Sequence, residues 1–206
     1  MDFRLYCDRT MCVVGPSHSG KTTFTLNLLK YRQELFRSPI RRVTWCYGIY
    51  QHELNSKLQA EGYQPHAGIL STEDIQPYDL IVLDDLIHES KNSSDVTAMF
   101  TRAAHHTPCF IIFITQNLFP PGKEARTRSL NTHYYALFKN PRDKSQFEVI
   151  ARQIRARNVK PLIDIFEAAT EKPFSYLFLD LTQECPEGFR FRSHLFQPPM
   201  LIYQPH

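Results

Sequence analysis

The hydrophobic positions of this chain fall into two alternating rhythms. Short, nearly continuous apolar runs predict strands at 3–6, 11–14, 41–47, 79–84, 109–114, 133–139, 175–181 and 189–194. Runs of this kind mark strands covered on both faces, as in a parallel sheet with flanking helices. Helical patterns lie between them, at 20–35, 51–61, 94–106, 146–157 and 160–171. In the fourth, Phe147, Ile150 and Ile154 recur at 0, +3 and +7, with Arg152 and Arg155 off the stripe. Leu162, Ile165, Phe166 and Ala169 repeat the stripe at 0, +3, +4 and +7. The alternation predicts a three-layer α/β domain, a mostly parallel central sheet flanked by helices. No internal repeat or low-complexity tract interrupts it, so the expectation is a single domain over 1–196 and a loose tail over 197–206.

Composition narrows the class only a little. The 206 residues suffice for one α/β domain with a real core. Hydrophobic residues at 42% and charged residues at 22% are ordinary for a globular protein. A net charge of +3 is too small to argue for nucleic acid, but its distribution is uneven. From Gly122 to Lys160 there are ten Lys or Arg against three acids, a solvated face or a candidate polyanion track. Five cysteines (7, 12, 46, 109, 185) form no C-x-x-C pair, and three lie in strand-like runs. They read as free thiols of a reducing compartment, not as a metal site. The first residues include Asp2, Arg4, Asp8 and Arg9 in place of an apolar signal core, and the longest strongly apolar run, Cys109 to Ile114, is too short to span a bilayer. The expectation is a soluble, intracellular protein with no membrane partner.

Candidate chemistry sharpens the picture. Residues 15–22, Gly-Pro-Ser-His-Ser-Gly-Lys-Thr, complete a G-x-x-x-x-G-K-T phosphate-binding loop, the Walker A motif. The loop follows an apolar run and opens a helical pattern. Backbone N–H groups and the positive end of the helix then converge on one anion. Gly15, Pro16, Ser17, His18, Ser19, Gly20, Lys21, Thr22 and Thr23 are the nucleotide-binding candidates. Gly15 and Gly20 permit close backbone approach, Lys21 reaches the β and γ phosphates, and the Thr22 hydroxyl is placed to ligate Mg²⁺. His18 stands where small residues are frequent and is read as rimming the pocket. The cofactors expected are ATP and Mg²⁺.

A second strand ending in acids completes such a site. Leu80-Ile81-Val82-Leu83-Asp84-Asp85 supplies it as a Walker B motif. Asp84 would hold the metal shell, and Asp85 would orient or deprotonate water. Beyond the next apolar run, Thr115-Gln116-Asn117 puts an amide where open α/β sheets bind ligands, and Gln116 is preferred over Asn117 as a γ-phosphate sensor. Trp45 and Tyr47 read as core packing and surface anchoring.

Several segments occur in a telling order. They are Gly-Pro-Ser-His-Ser-Gly-Lys-Thr-Thr-Phe, Leu-Ile-Val-Leu-Asp-Asp-Leu, Phe-Ile-Thr-Gln-Asn-Leu-Phe, Arg-Ser-Leu-Asn-Thr-His-Tyr-Tyr-Ala-Leu-Phe-Lys-Asn-Pro-Arg-Asp and Ile-Ala-Arg-Gln. The series resembles the FtsK–HerA superfamily, and within it the poxvirus-type genome-packaging ATPases of DNA viruses and virus-like mobile elements. The resemblance runs from about residue 3 to 196. It implies a RecA/FtsK-like P-loop NTPase fold and a homo-oligomeric ring. Such a ring hydrolyses ATP to pump double-stranded DNA, without regard to sequence, into a capsid or through its portal. The host cytoplasm or nucleus, or the virion, is the place it implies.

By motif position Asp85 matches the family's water-activating acid, commonly a glutamate, and Gln116 matches its polar sensor. Arg126 matches the arginine that reaches a neighbour's γ-phosphate, with Arg128 close by as the competing choice. His18 departs from the glycine common at its loop position. The basic stretch 139–160 would contact DNA phosphates, or equally pair with acids between subunits. Two other classes remain: a small-molecule kinase, for which no separate lid insertion is evident, and a non-hydrolysing nucleotide-dependent scaffold, against which the intact Lys21, Thr22, Asp84 and Asp85 argue.

Overall fold

Alternate residues of the central strands are buried on opposite sides of one sheet, and they divide between two cores. The computed structural model describes residues 2–71, 74–86, 96–99, 101, 109–119, 123–143, 145–155 and 157–205, with only the backbone of 123–125. Nine strands form the sheet among them: β1 (Thr10–Val14), β2 (Val43–Tyr47), β3 (Gln64–Ala67), β4 (Leu80–Asp84), β5 (Phe110–Thr115), β6 (Tyr134–Phe138), β7 (Tyr176–Asp180), β8 (Phe191–Ser193) and β9 (Leu201–Tyr203). Their order is β3-β2-β4-β5-β1-β6-β7-β8-β9. Pairings from β3 through to β6 are parallel, and β6 to β9 pair antiparallel.

One core takes Cys12, Val14, Ile81, Leu83, Ile111 and Phe113 from the sheet, and the other takes Met11, Val13, Leu80, Val82, Phe110 and Ile112. Helices Ser145–Ile154 and Lys160–Ala169 cover the first face through Phe147, Ile150, Leu162 and Ile165. Phe147 and Phe166 stack with ring centroids 4.4 Å apart, a contact that adds about 1 kcal/mol beyond the area it buries. Helices Lys21–Lys30 and His52–Ala60 cover the second face through Phe24, Leu28, Leu29 and Leu58. The protein is a three-layer α/β structure with a large, mostly parallel sheet.

Parallel register decides where the site forms. Val14 pairs with Thr115, and Asp84 pairs with Ile114, so Gly15, Gln116 and Asp85 leave the sheet at one level. The N-terminal end of β7 and the C-terminal end of β8 reach the same edge, because β7 runs antiparallel to both its neighbours.

Several expectations change. The run 3–6 is not a strand, since only Leu5 makes an isolated bridge, to Phe36. The helix expected over 20–35 breaks at Tyr31 into Lys21–Lys30 and Arg32–Leu35. The tail after Phe196 is not loose throughout, because Leu201–Tyr203 adds the edge strand β9 to β8. Of the helix expected over 94–106, residues 96–99 and 101 are helical, and the rest lies outside the described residues. Edge strand β3 and helix Lys123–Leu130 carry no apolar periodicity and were not expected.

Candidate active site

The loop after β1 is shaped by steric exclusion as much as by attraction. A Cβ on Gly15 would stand 2.7 Å from both Phe138 Cβ and Ser19 Oγ, so no side chain fits there. His18 and Gly20 both take left-handed backbone, at φ 61° and 104°. Glycine tolerates that region, whereas histidine enters it at a cost of about 1 kcal/mol. The position thus takes a positive φ that would suit glycine, and His18 adopts it at that cost. The Gly20 carbonyl accepts Phe24 N–H at 2.8 Å, and helix Lys21–Lys30 begins at once. Its N-terminus points the free N–H groups of the first turn at the loop.

Lys21 folds back over the loop, its Nζ donating to the carbonyl oxygens of Gly15 and Pro16 at 2.8 Å each. Burial lowers the pKa of its ammonium below the usual lysine value, against the pull of Asp85 and Asp84. The ammonium therefore sits between the loop and two carboxylates carried by the strand two places away in the sheet.

Asp84 ends β4 in a largely buried position, and the fully buried Trp45 donates from Nε1 to its Oδ2 at 3.2 Å. Burial pushes Asp84 up to about 6; the Trp45 N–H opposes the rise, repulsion from Asp85 adds to it, and Lys21 opposes it. Asp84 Oδ1 accepts no hydrogen bond among the described residues. Asp85 turns out of the strand at φ 51°, and its N–H bonds Ile114 O at 3.2 Å. Gln116 links this acid to the loop. Its Nε2 donates to Asp85 Oδ2 at 3.1 Å, and its Oε1 accepts from Ser17 Oγ at 3.2 Å. Asn117 faces another task, its Oδ1 accepting Phe119 N–H in a local turn.

Lys21, Thr22, Thr23, Asp84, Asp85 and Gln116 line one open cleft of about 1290 Å³. Thr22 and Asp84 offer hard oxygen donors of the sort Mg²⁺ takes. Among the described residues no group of three His, Cys, Asp or Glu is placed to hold a metal ion, so a cation here would depend on phosphate oxygens for the rest of its shell.

The two candidate arginines part company. Arg128 is buried, donates to Thr97 Oγ1 at 3.0 Å and lies 5.8 Å from the centre of the Phe113 ring. Arg126 is exposed on the same helix and does not line the cleft. Within the basic stretch, Arg152 pairs with Glu148 at 3.2 Å and Lys160 with Asp164 at 2.6 Å, each one helical turn apart. Lys139, Arg142, Arg155 and Arg157 are exposed. Cys12, Cys46 and Cys109 are buried free thiols, each pushed up to about 12 by burial. No described helix is long and apolar enough to cross a membrane.

The cleft has walls that no motif marked. Phe174, in the turn before β7, and His194, just after β8, both line it. The Pro173 at the second place of that turn is the signal sequence reading passed over, since such turns often demand positive φ at the third.

No protein-family model matches the chain, and no curated protein matches it. Among solved structures, the genome packaging NTPase B204 of Sulfolobus turreted icosahedral virus 2, in complex with ATP-gammaS, aligns with 98% of this chain and 100% of that one. The identity is 12% and the TM-score 0.55. The KaiC-like protein PH0186 of Pyrococcus horikoshii OT3 aligns with 95% of this chain and 90% of its own, at 10% identity and a TM-score of 0.46. The chain has the mixed α/β fold of the P-loop NTPases, with a large, mostly parallel sheet flanked by helices.

Proposed function

We propose that this protein is an ATP hydrolase of FtsK–HerA type that works as a homo-oligomeric ring and moves double-stranded DNA into a viral or virus-like capsid. The observation that carries the hydrolytic part is the line Ser17–Gln116–Asp85, which ties the phosphate loop to an acid across β5. In this reading the loop N–H groups and Lys21 bind the β and γ phosphates, Lys21 exchanging its two loop carbonyls for phosphate oxygens. Gln116 orients a water on the γ-phosphorus. Its oxygen bonds to phosphorus as the bond to the β,γ-bridging oxygen breaks, and its proton passes to Asp85. Thr22 and Asp84 would hold Mg²⁺, which when bound neutralises phosphate charge.

Arg126 fits a trans role because it is exposed and lies outside the cleft of its own subunit. An arginine supplied by a neighbour stabilises the charge on the transferring phosphoryl group and contributes roughly 10³–10⁵-fold. Arg128 is unsuited to that task, being buried in its own chain. The packaging part rests on the motif series from Thr115 to Asp143 and on the fold shared with B204, a genome packaging NTPase. Exposed Lys139, Arg142, Arg155 and Arg157 are the candidates for phosphate contacts with DNA.

The test is an ATPase assay on the purified protein. Turnover should require Mg²⁺, rise with double-stranded DNA, and vanish in Lys21→Ala and Asp85→Asn. Phosphorylation of a nucleoside with no effect of DNA would overturn the proposal in favour of a kinase.

A further inference from the structure

Four described residues other than glycine have left-handed backbone: His18, Asp85, Phe174 and His194. All four line the one cleft. Strain of this kind persists where surrounding structure over-determines it, and it gathers at ligand sites. His18 and Asp85 belong to the phosphate end already described. Phe174 and His194 do not.

Their place follows from the sheet. β1 delivers the phosphate loop, with Asp84, Asp85 and Gln116 on the β5–β4 flank. Phe174 precedes β7 and His194 follows β8, on the opposite flank beyond β6. A nucleoside triphosphate whose γ end meets Asp85 and Gln116 therefore carries its base towards Phe174.

Phe174 is held in position to meet it. Ser175 closes the turn by donating its N–H and Oγ–H to Lys172 O, at 3.2 and 2.6 Å. Pro173 fixes the turn's second residue, and Phe174 takes φ 63° at the third, where glycine is usual. Phe174 is nonetheless 72% exposed, and the foot of its side chain reaches the phosphate loop: a Cβ on Gly20 would lie 3.6 Å from Phe174 Cβ and 3.7 Å from its Cδ1. Phe24, Tyr176 and Phe196, which line the same cleft, pack on one another, with Phe24 4.7 Å from Tyr176 and 5.1 Å from Phe196 between ring centroids. Tyr176 Oη also accepts Leu195 N–H at 3.0 Å, tying the His194 turn to β7. A large apolar ring is thus kept largely in the open, in a strained turn beside the phosphate loop.

We infer that Phe174 is the stacking platform for the base of the bound nucleotide, preferring purines, with His194 on the same wall. The inference rests on the nucleotide-binding reading above and adds its base subsite. Stacking scales with the face of the base, so purines gain more than pyrimidines, with little discrimination between adenine and guanine from the ring itself.

The test is equilibrium binding of ATP, GTP, CTP, UTP and inorganic tripolyphosphate, each with Mg²⁺, to the full chain. Phe174→Gly suits the turn's φ and deletes only the ring, so folding is not at stake. It should weaken ATP and GTP by about tenfold, leave tripolyphosphate within twofold, and abolish the purine preference. Phe174→Trp should retain it. Unchanged ATP affinity in Phe174→Gly, or an equal loss for tripolyphosphate, would overturn the base subsite alone. Failure of the wild-type protein to bind ATP and tripolyphosphate, or indifference of both to Lys21→Ala, would overturn the nucleotide-binding reading with it.

Discussion

Gln116 donates its side-chain amide to Asp85 across 3.1 Å, and since a carboxylate only accepts, that contact orients the amide. Its oxygen is left to Ser17, so a change at the loop is felt at the acid. Gln116→Leu keeps the volume but removes both bonds. It should lower kcat for ATP by about 100-fold, as expected for loss of a positioned proton-transfer partner. Equilibrium ATP binding should change by less than threefold. Turnover within twofold of wild type would remove Gln116 from the hydrolytic machinery.

Arg126 and Arg128 lie two residues apart with opposite environments. Arg128→Ala strips a buried charge-assisted bond from Thr97 and should cost about 2 kcal/mol of stability by urea unfolding. Arg126→Ala, at an exposed position, should stay within about 0.5 kcal/mol of wild type yet lose ATPase activity. Mixing it with inactive Lys21→Ala subunits should restore part of that activity. No recovery in mixed assemblies would count against the trans role.

His18 occupies a backbone position that favours glycine. His18→Gly should retain ATP binding and shift stability by less than about 1 kcal/mol, because relief of strain and the added freedom of the unfolded chain offset each other. His18→Val should lose binding and stability together, a β-branched residue being least tolerant of positive φ. Equal behaviour of the two variants in thermal melts and ATP titration would deny the backbone explanation.

His133 gives a pH dependence of definite sign. Its Nδ1 accepts Thr10 N–H at 3.3 Å, which the protonated ring cannot do. Burial, then repulsion from Arg9, lowers its pKa from the usual 6.5 to about 4. The unfolded chain therefore binds the extra proton in that window, and folding stability falls as pH drops from 6.5 towards 4. His133→Asn should flatten this part of the slope relative to wild type in urea unfolding at pH 7 and 5. An unchanged slope would mean that His133 titrates alike in both states.

Sequence patterning exposed the strands β1, β4, β5 and β6, because burial on both faces leaves long apolar runs with a polar residue only at a strand end, as at Thr10, Asp84 and Thr115. It was blind to β3, whose Gln64-Pro65-His66-Ala67 has no apolar run and holds the sheet edge by pairing with β2 and by hydrogen bonds from Thr44 and Tyr78 to Gln64. Helix Lys123–Leu130 escaped for a related reason, since its one buried side chain among those described is a cation, Arg128, that satisfies no hydrophobic pattern. The phosphate end of the cleft was legible because its spacing is dictated by phosphate geometry. Phe174 and His194 were not, because a stacking wall needs only a flat ring at the right place, and that place is set by β7 and β8 pairing far along the chain.

Trp45 is the only tryptophan in the chain, and its indole N–H ends on Asp84. The molecule thus carries a built-in optical gauge at the carboxylate proposed to meet the metal. Any event that moves charge onto or off Asp84 tugs on a fluorophore sealed in the core, where solvent adds no competing signal. Filling of the cleft can be followed by emission alone, without a label or a substitution.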